Sequence, residues 1–381
     1  MGRQKAVVLG CGLVGATMAR DMAREGEFDV IAVDASEKNL AALEGVAGVT
    51  PRKADLGSPE AVAAAVAEAD VVLGAMPSAL GFMVLRAVIE SGKPFADISF
   101  MIEDQTELDA LAKDRGVTAV VDCGVAPGLA NLVIGHVAAN LEQTDRVVYY
   151  VGGLPKNPVW PYLYKAPFAP SDVLEEYTRP ARLVENGKVV VKPALSDSER
   201  IQFPEVGELE AFNTDGLRTL IKNIKAPNMV EKTLRYPGHI ELMAILRQTG
   251  LFSKDEIEVR GVKVRPLDVT SKLLFPIWTY QPGEEEFTIL RVVVEGRENG
   301  KAVRHTYDLY DQYDHETGQS SMARTTAFPC AIAARMLLSG EIKEKGVLPP
   351  ELLGRQSGML ERMTSELAKR NVKLTSKVES L

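Results

Sequence analysis

The stretch "VVLGCGLVGATMA", Val7 to Ala19, sets three glycines, Gly10, Gly12 and Gly15, between an apolar run and an amphipathic one. Ala6 to Leu9 reads as a buried parallel strand, and Met18, Met22 and the alanines around them recur at helical intervals. The spacing therefore predicts a strand, a tight turn and a helix N-terminus. Gly10 makes the turn, Gly12 lets the backbone amides of Cys11, Leu13 and Val14 approach a pyrophosphate, and Gly15 lets helix and strand pack closely. A glycine-rich turn alone has little specificity, so the context decides.

That context is a second apolar run, "FDVIAVD", ending at Asp34, about 20 residues beyond the glycines. There a carboxylate accepts hydrogen bonds from an adenosine ribose. The neighbours Ala35 and Ser36 bring no arginine to neutralise a 2′-phosphate, so repulsion predicts NAD over NADP.

Downstream the pattern alternates: "VTPRKADL", a helix from Pro59 to Glu68, a strand "DVVLGAM", a helix from Gly81 to Ser91, "PFADIS", a helix through "EDQTELDALAKDRG", and a strand "TAVVDCG". This is a doubly wound α/β domain, a Rossmann-type parallel sheet over residues 1–125. At its strand ends stand Asp55 and Leu56, Ala75, Met76 and Pro77, Asp97, and Asp122 and Cys123. The carboxyl ends of an open parallel sheet form its ligand crevice, which makes these the cofactor and substrate candidates.

Beyond residue 140 the runs "DRVVYYVGG", "KTLRYPGH", "FTILRVVVEG" and "AVRHTYDLYDQYD" are β-branched or aromatic and separated by polar turns, predicting an α+β domain with a largely antiparallel sheet over 126–321. "PKNPVWPYLYKAPFAPSD" is too rich in proline for a central strand or regular helix and reads as an ordered loop. In "SSMARTTAFPCAIAARMLLSG", Thr325 or Thr326 before Pro329 predicts a helix start, with 322–381 returning to the first domain and the polar tail frayed.

Composition narrows the function. The chain of 381 residues, 46% hydrophobic and 25% charged, fills two cores. A net charge of −8 with scattered basic residues argues against a nucleic-acid partner. No apolar run spans a bilayer and the first residues lead straight into a strand, so a cytoplasmic protein without a membrane partner is expected. Three cysteines and four histidines, all scattered, give neither a disulfide framework nor metal-ligand spacing. The apolar strands of the antiparallel sheet offer a dimer surface, and a homodimer or higher homo-oligomer is expected.

"VDCGVAPGLANLVIGH" (Val121 to His136), "YYVGGLP", "ELEAFNTDG", "EKTLRYPGH" and "MARTTAFPCAIAA", in that order behind the opening glycines, resemble the saccharopine dehydrogenase superfamily and most closely its lysine 6-dehydrogenase branch. The resemblance runs to about residue 345 and implies a dinucleotide domain with an inserted substrate domain, and an amino-acid substrate derived from lysine. It also implies that Thr214 and Asp215 of "FNTDG" belong to the substrate side. Saccharopine reductases carry Asp and an aromatic hydroxyl where this chain has Ala126 and Phe100, which favours a smaller substrate, free lysine.

Physically, "GVAPGLAN" enters a helix through Gly124, Pro127 and Gly128 with Asn131 in the first turn, where free amides would attract a carboxylate or the nicotinamide carboxamide. Cys123 at a buried strand end lines the site and is no nucleophile. Oxidising an amine requires its neutral form, and Asp97, Asp122, Asp215 and His239 are the candidate proton acceptors. His239 has an ordinary pKa of about 6.5, suited to proton transfer. Arg235 is a two-pronged clamp for a substrate α-carboxylate. Surface roles for both are equally compatible with the spacing; the resemblance favours function. The expected reaction is oxidation of the lysine ε-amine by NAD to allysine, which cyclises, with loss of ammonia. The alternatives are a saccharopine dehydrogenase, a carboxynorspermidine-type dehydrogenase, or an NAD-sensing protein without turnover.

Overall fold

The computed structural model describes residues 3–166, 168, 170–281 and 283–381. Six strands open the chain: β1 (Gln4–Leu9), β2 (Phe28–Asp34), β3 (Val49–Lys53), β4 (Val71–Gly74), β5 (Phe95–Asp97) and β6 (Thr118–Val120). Joined by the strand Gly346–Leu348, they form one seven-stranded parallel sheet, ordered from that strand through β6, β5, β4, β1 and β2 to β3. The order reverses between β1 and β4, the switch point at which a doubly wound sheet binds its ligand. Val7, Val8 and Leu9 are wholly buried, as expected of a strand covered on both faces.

The second sheet is mixed and largely antiparallel. Its strands are β7 (Gln143–Pro155), β8 (Ala181–Glu185), β9 (Lys188–Lys192), β10 (Glu199–Phe203), β11 (Gly207–Asn213), β12 (Asn228–Arg235), β15 (Glu286–Glu298), β16 (Lys301–Gln312) and β18 (Leu374–Ser380). β13 (Ile257–Val259) and β14 (Val262–Val264) make a separate hairpin, and β17 is the strand Gly346–Leu348 of the first sheet. Only β7 and β12 run parallel among the main pairs. Tyr177, Phe212, Leu234, Trp278 and Phe287 anchor this unit's own core.

By contacts the chain divides into Met1–Ala139 with Ala323–Val372, and Asn140–Met322 with Lys373–Leu381. Against the expected boundary at 125/126, residues 129–139 of the helix Leu129–Asn140 belong to the first unit: a Cβ on Gly135 would lie 2.0 Å from the carbonyl oxygen of Glu351, and one on Gly354 2.1 Å from that of Leu132. Nor is the tail frayed, since β18 pairs along β16 and belongs to the second unit. Pro329 lies inside the helix Ser321–Leu338 and does not follow a helix start at Thr325 or Thr326. An internal proline costs about 3 kcal/mol, which burial of Ala327, Cys330, Ala331 and Ala334 offsets. The helix predicted from Gly81 begins at Ser78, and the one through "EDQTELDALAKDRG" is a 3₁₀ turn, Gln105–Leu108, followed by Asp109–Asp114. The proline-rich stretch is loop as far as its last residues, which open the helix Pro170–Thr178; Pro167 and Ala169 within it lie outside the described residues.

One carboxylate ties the returning segment to the glycine-loop helix Leu13–Ala23. Asp21 Oδ1 accepts from Arg370 Nε at 2.6 Å, and its Oδ2 from Arg335 Nη1 at 2.8 Å and Arg370 Nη2 at 3.1 Å. Asp21 and Arg370 are both buried. Removing the carboxylate takes three charged hydrogen bonds away but leaves Arg335 with Glu27 and Arg370 with Glu366, so Asp21→Ala is expected to lower stability by roughly 1.5 to 3 kcal/mol in chemical denaturation, and Asp21→Asn by less. A loss below about 1 kcal/mol would mean that the ties are surface-like.

Candidate active site

The glycine loop has the geometry its spacing predicts. Gly10 has φ +84°, and a Cβ there would lie 2.5 Å from the Ala75 carbonyl oxygen. A Cβ on Gly15 would overlap the Gly10 carbonyl oxygen at 1.8 Å, so helix and strand touch backbone to backbone. At Gly12 the added carbon meets nothing within 4 Å, which is the room a dinucleotide phosphate needs. Ala16 N makes the first helical bond, to Gly12 O at 2.9 Å, so the amides of Leu13, Val14 and Gly15 precede the ladder.

Cys11 differs from expectation. Its amide donates to Asp34 Oδ2 at 2.7 Å and its thiol contacts Val33 O at 3.5 Å, so it braces the loop and does not face a phosphate. Burial, with the Asp34 charge second, pushes the thiol up to about 12. Asp34 also accepts from Asn39 Nδ2 at 3.1 Å on Oδ2 and from Ser36 N at 2.7 Å on Oδ1. Of the roughly four lone-pair sites of a carboxylate, one on Oδ1 is left for a ribose hydroxyl. Ala35 is exposed beside it.

Asp55 is exposed and caps its own turn by accepting from Gly57 N at 3.0 Å, whereas the Leu56 side chain is buried in the core and offers a ligand only its backbone. Ala75 and Met76 are half-buried and Pro77 is exposed. Met76 N donates to Ser99 Oγ at 3.2 Å, and Ser99 Oγ donates to Asp97 Oδ1 at 2.7 Å. Ser99 N adds a contact to the same oxygen at 3.2 Å. Asp97 is 1% exposed, and its Oδ2 has no hydrogen-bond partner among the described residues. Burial raises this carboxyl to about 6, against the hydrogen bonds from Ser99.

Cys123 N donates to Asp97 O at 2.9 Å, which places the end of β6 beside that of β5. Its thiol is buried and pushed up to about 12, chiefly by burial, so it lines the site as a neutral group. Asp122 is buried at φ +49° and accepts from Gln105 Nε2 at 2.9 Å. The following loop closes on itself: Gly124 N donates to Pro127 O, Gly128 N to Asn131 Oδ1 at 3.1 Å, Leu129 N to Gly124 O and Ala130 N to Val125 O. The amides of Gly128, Leu129 and Ala130 are therefore spent inside the loop, contrary to the expected anion site, and Asn131 is its clasp, reaching Glu351 Oε2 at 3.4 Å with its other end.

The second unit brings Arg235 and His239 together but holds both in its interior. Arg235 pairs with Glu176, donates from Nε to Tyr177 OH at 3.0 Å, and lies over the Tyr164 ring at 4.3 Å. Its guanidinium is thus engaged by an acid, a hydroxyl and a ring, so it is no open clamp. His239 Nδ1 meets the Tyr162 carbonyl oxygen at 2.7 Å, and a carbonyl only accepts, so the proton sits on Nδ1. Nε2 then accepts from Tyr177 OH at 2.9 Å. Burial, with the Arg235 charge second, pushes His239 down to about 3. It is a neutral structural ring and does not carry protons near neutrality.

Asp215 is paired with Arg182, which reaches it from Nε at 2.8 Å, Nη2 at 2.9 Å and its own backbone N at 3.1 Å. Thr214 Oγ1 bonds Thr233 Oγ1 at 2.7 Å and donates to Glu231, whose carboxyl burial pushes up to about 8. Both expected substrate contacts thus serve internal networks. Ser99, Glu176, Tyr177 and Glu231 were not foreseen. Of these only Ser99 left a signal, the D-x-S spacing of "ADIS", in which an acid and a hydroxyl two residues apart share bonds.

No cluster of three metal-ligating side chains occurs among the described residues, and no helix among them is long and apolar enough to cross a membrane.

Residues 6–120 match the family description "Saccharopine dehydrogenase NADP binding domain", and residues 124–372 match "Saccharopine dehydrogenase C-terminal domain". The chain belongs to the saccharopine dehydrogenase family. It is 24% identical to the mitochondrial alpha-aminoadipic semialdehyde synthase of Mus musculus, over 96% of this chain and 47% of that protein, so it spans about half of that relative's length. It is 23% identical to the carboxyaminopropylagmatine dehydrogenase of a Synechocystis strain, over 91% of this chain and 92% of that one. The apo saccharopine dehydrogenase (L-Glu forming) of Saccharomyces cerevisiae shares the fold, with a TM-score of 0.80, 20% identity, and coverage of 99% of this chain and 100% of that one.

The Asp97 carboxyl has consequences for stability. Its folded pKa of about 6 lies above the ordinary 3.8, so the unfolded chain releases this proton first. Folding stability attributable to Asp97 is therefore intact below about pH 4, is lost as pH rises toward about 6, and stays lost above, a penalty of roughly 3 kcal/mol. Asp97→Asn is expected to stabilise the protein at pH 8 and leave it unchanged near pH 4. Equal effects at both pH values in urea denaturation would refute the raised pKa.

Proposed function

We propose that this member of the saccharopine dehydrogenase family oxidises the ε-amine of L-lysine with NAD, yielding allysine and ammonia. The observation that carries the amine chemistry is Asp97, a buried carboxyl at the end of β5 with an unpartnered oxygen. Gly12 leaves room for the dinucleotide phosphates, Leu13 and Val14 offer their amides, and Asp34 keeps one acceptor site for a ribose hydroxyl. NAD, when bound, accepts the hydride from the carbon bearing the amine.

Magnitudes assign the protons. A carboxylate near 6 that takes a proton from an ammonium of pKa about 10.4 works uphill by about four units, roughly 6 kcal/mol. The neutral amine therefore comes from alkaline solution. Asp97 suits the later steps better, because at the alkaline pH that frees the amine it is ionised and can take a proton from water as that water adds to an iminium carbon. As water adds to the iminium carbon, Asp97 takes the water proton; as the carbinolamine collapses, Asp97 returns that proton to the nitrogen, ammonia leaves, and the hydroxyl proton passes to solvent to give the aldehyde.

Ala126 and Phe100 support a small substrate, because neither offers a polar group to a second amino-acid moiety. Asp34 with exposed Ala35 supports NAD, although the matching family description names NADP. A homodimer in the cytoplasm completes the reading.

Reduction of NAD should be measured against lysine, ornithine, saccharopine and carboxynorspermidine. Lysine is expected to react fastest, with turnover rising steeply toward alkaline pH; faster turnover of either secondary amine would reassign the substrate, and cofactor binding without turnover of any amine would make the protein a sensor.

Exchanging Asp34 for Ser and Ala35 for Arg removes a repulsion and adds a phosphate partner, so the preference in kcat/KM should swing toward NADP. An unmoved preference would take Asp34 out of cofactor choice.

A further inference from the structure

We infer that Ser99 is a positioning residue that decides which oxygen of Asp97 handles protons and ties that carboxyl to the backbone at the end of β4; this rests on the role proposed for Asp97. Oδ1 is held from several sides. Ser99 supplies Oγ at 2.7 Å and N at 3.2 Å. Oδ1 also lies 2.2 Å from where a Gly74 Cβ would stand, so β4 must end in glycine for the carboxyl to lie there. With Oδ1 so engaged, Oδ2 is the oxygen left for a proton.

The hydroxyl works in both directions. Having donated its only proton to Asp97, Ser99 Oγ accepts from Met76 N at 3.2 Å. Met76 lies two residues past the end of β4, next to Ala75, whose carbonyl lies against Gly10. Glycine loop, β4 end and carboxyl are thereby joined through one side chain. The Ser99 Cβ is packed independently, 3.0 Å from where a Gly81 Cβ would be. Alanine at 99 keeps that packing and deletes only the hydroxyl. The other titratable groups near Asp97 are Asp122, Cys123 and Cys330, and burial raises both thiols, which leaves them uncharged.

The test follows the Asp97 carboxyl directly, by 13C titration of the aspartate-labelled 381-residue chain, with its signal assigned through Asp97→Asn. Ser99→Ala should raise the Asp97 midpoint by roughly one unit, since a hydrogen bond to the charged form is lost. Ser99→Cys, a weak donor of similar shape, should fall between. In the lysine assay Ser99→Ala should lower kcat about tenfold at near-constant NADH affinity, and should add less than about twofold in the Asp97→Asn background. An Asp97 midpoint unmoved in both Ser99 variants overturns the inference. Wild-type turnover in Asp97→Asn overturns the proton role of Asp97 instead, while the titration still decides whether Ser99 sets its state.

Discussion

A backbone approach that only glycine permits governs the first unit. At Gly10, Gly15 and Gly74 a side chain would overlap, respectively, the Ala75 carbonyl, the Gly10 carbonyl and the Asp97 carboxylate. The three contacts are consecutive: helix onto loop, loop onto the β4 end, β4 onto the β5 carboxyl. Each brings polar atoms nearer than packed side chains allow, which is how a parallel sheet assembles a ligand site from strands distant in sequence. The buried apolar residues of β1, β2 and β4 pack the platform on which these approaches are made.

The second unit uses its polar residues differently. Arg235, Tyr177, His239 and the Tyr162 carbonyl form one directed chain of donors, with Glu176 balancing the guanidinium charge. Asp215 with Arg182, and Thr214 with Glu231, are closed in the same manner. The buried members of these networks help to specify the packing of β11, β12 and the helices beside them, while the Asp215–Arg182 pair lies nearer the surface. Their residue types are those of an amine-binding site, yet Arg235, His239, Thr214 and Asp215 all bond to partners inside the unit.

This explains what the sequence disclosed. The first strand–turn–helix unit and its glycine loop were legible because apolar runs, glycines and a strand-end acid occur within one short stretch. Asp97 was legible as a strand-end acid, but its orphan oxygen was not, since Ser99 settles that through geometry. Arg235 and His239 were misread because Tyr177 and Glu176, 58 and 59 residues before Arg235, close on them, and no local spacing reports such a contact. Pro329 and the tail were misread for a related reason: helix Ser321–Leu338 and β18 owe their form to burial and to pairing with β16, which override local propensity.

Asp97 and Glu231 show how closure and openness separate two buried acids. Burial raises both carboxyls, to about 6 and about 8. Glu231 is met by Thr214 and by the amide of Gly216 and, at about 8, is mostly protonated at neutral pH, so its burial carries little charge. Asp97 at about 6 is mostly ionised at neutral pH, with one oxygen unmatched among the described residues. An ionised, half-satisfied carboxylate weakens the fold, and an asparagine there would keep the bond from Ser99 without the charge. Stability given up at the end of a central strand, beside a loop shaped for a dinucleotide, is intelligible where the unmatched oxygen serves a proton in transit.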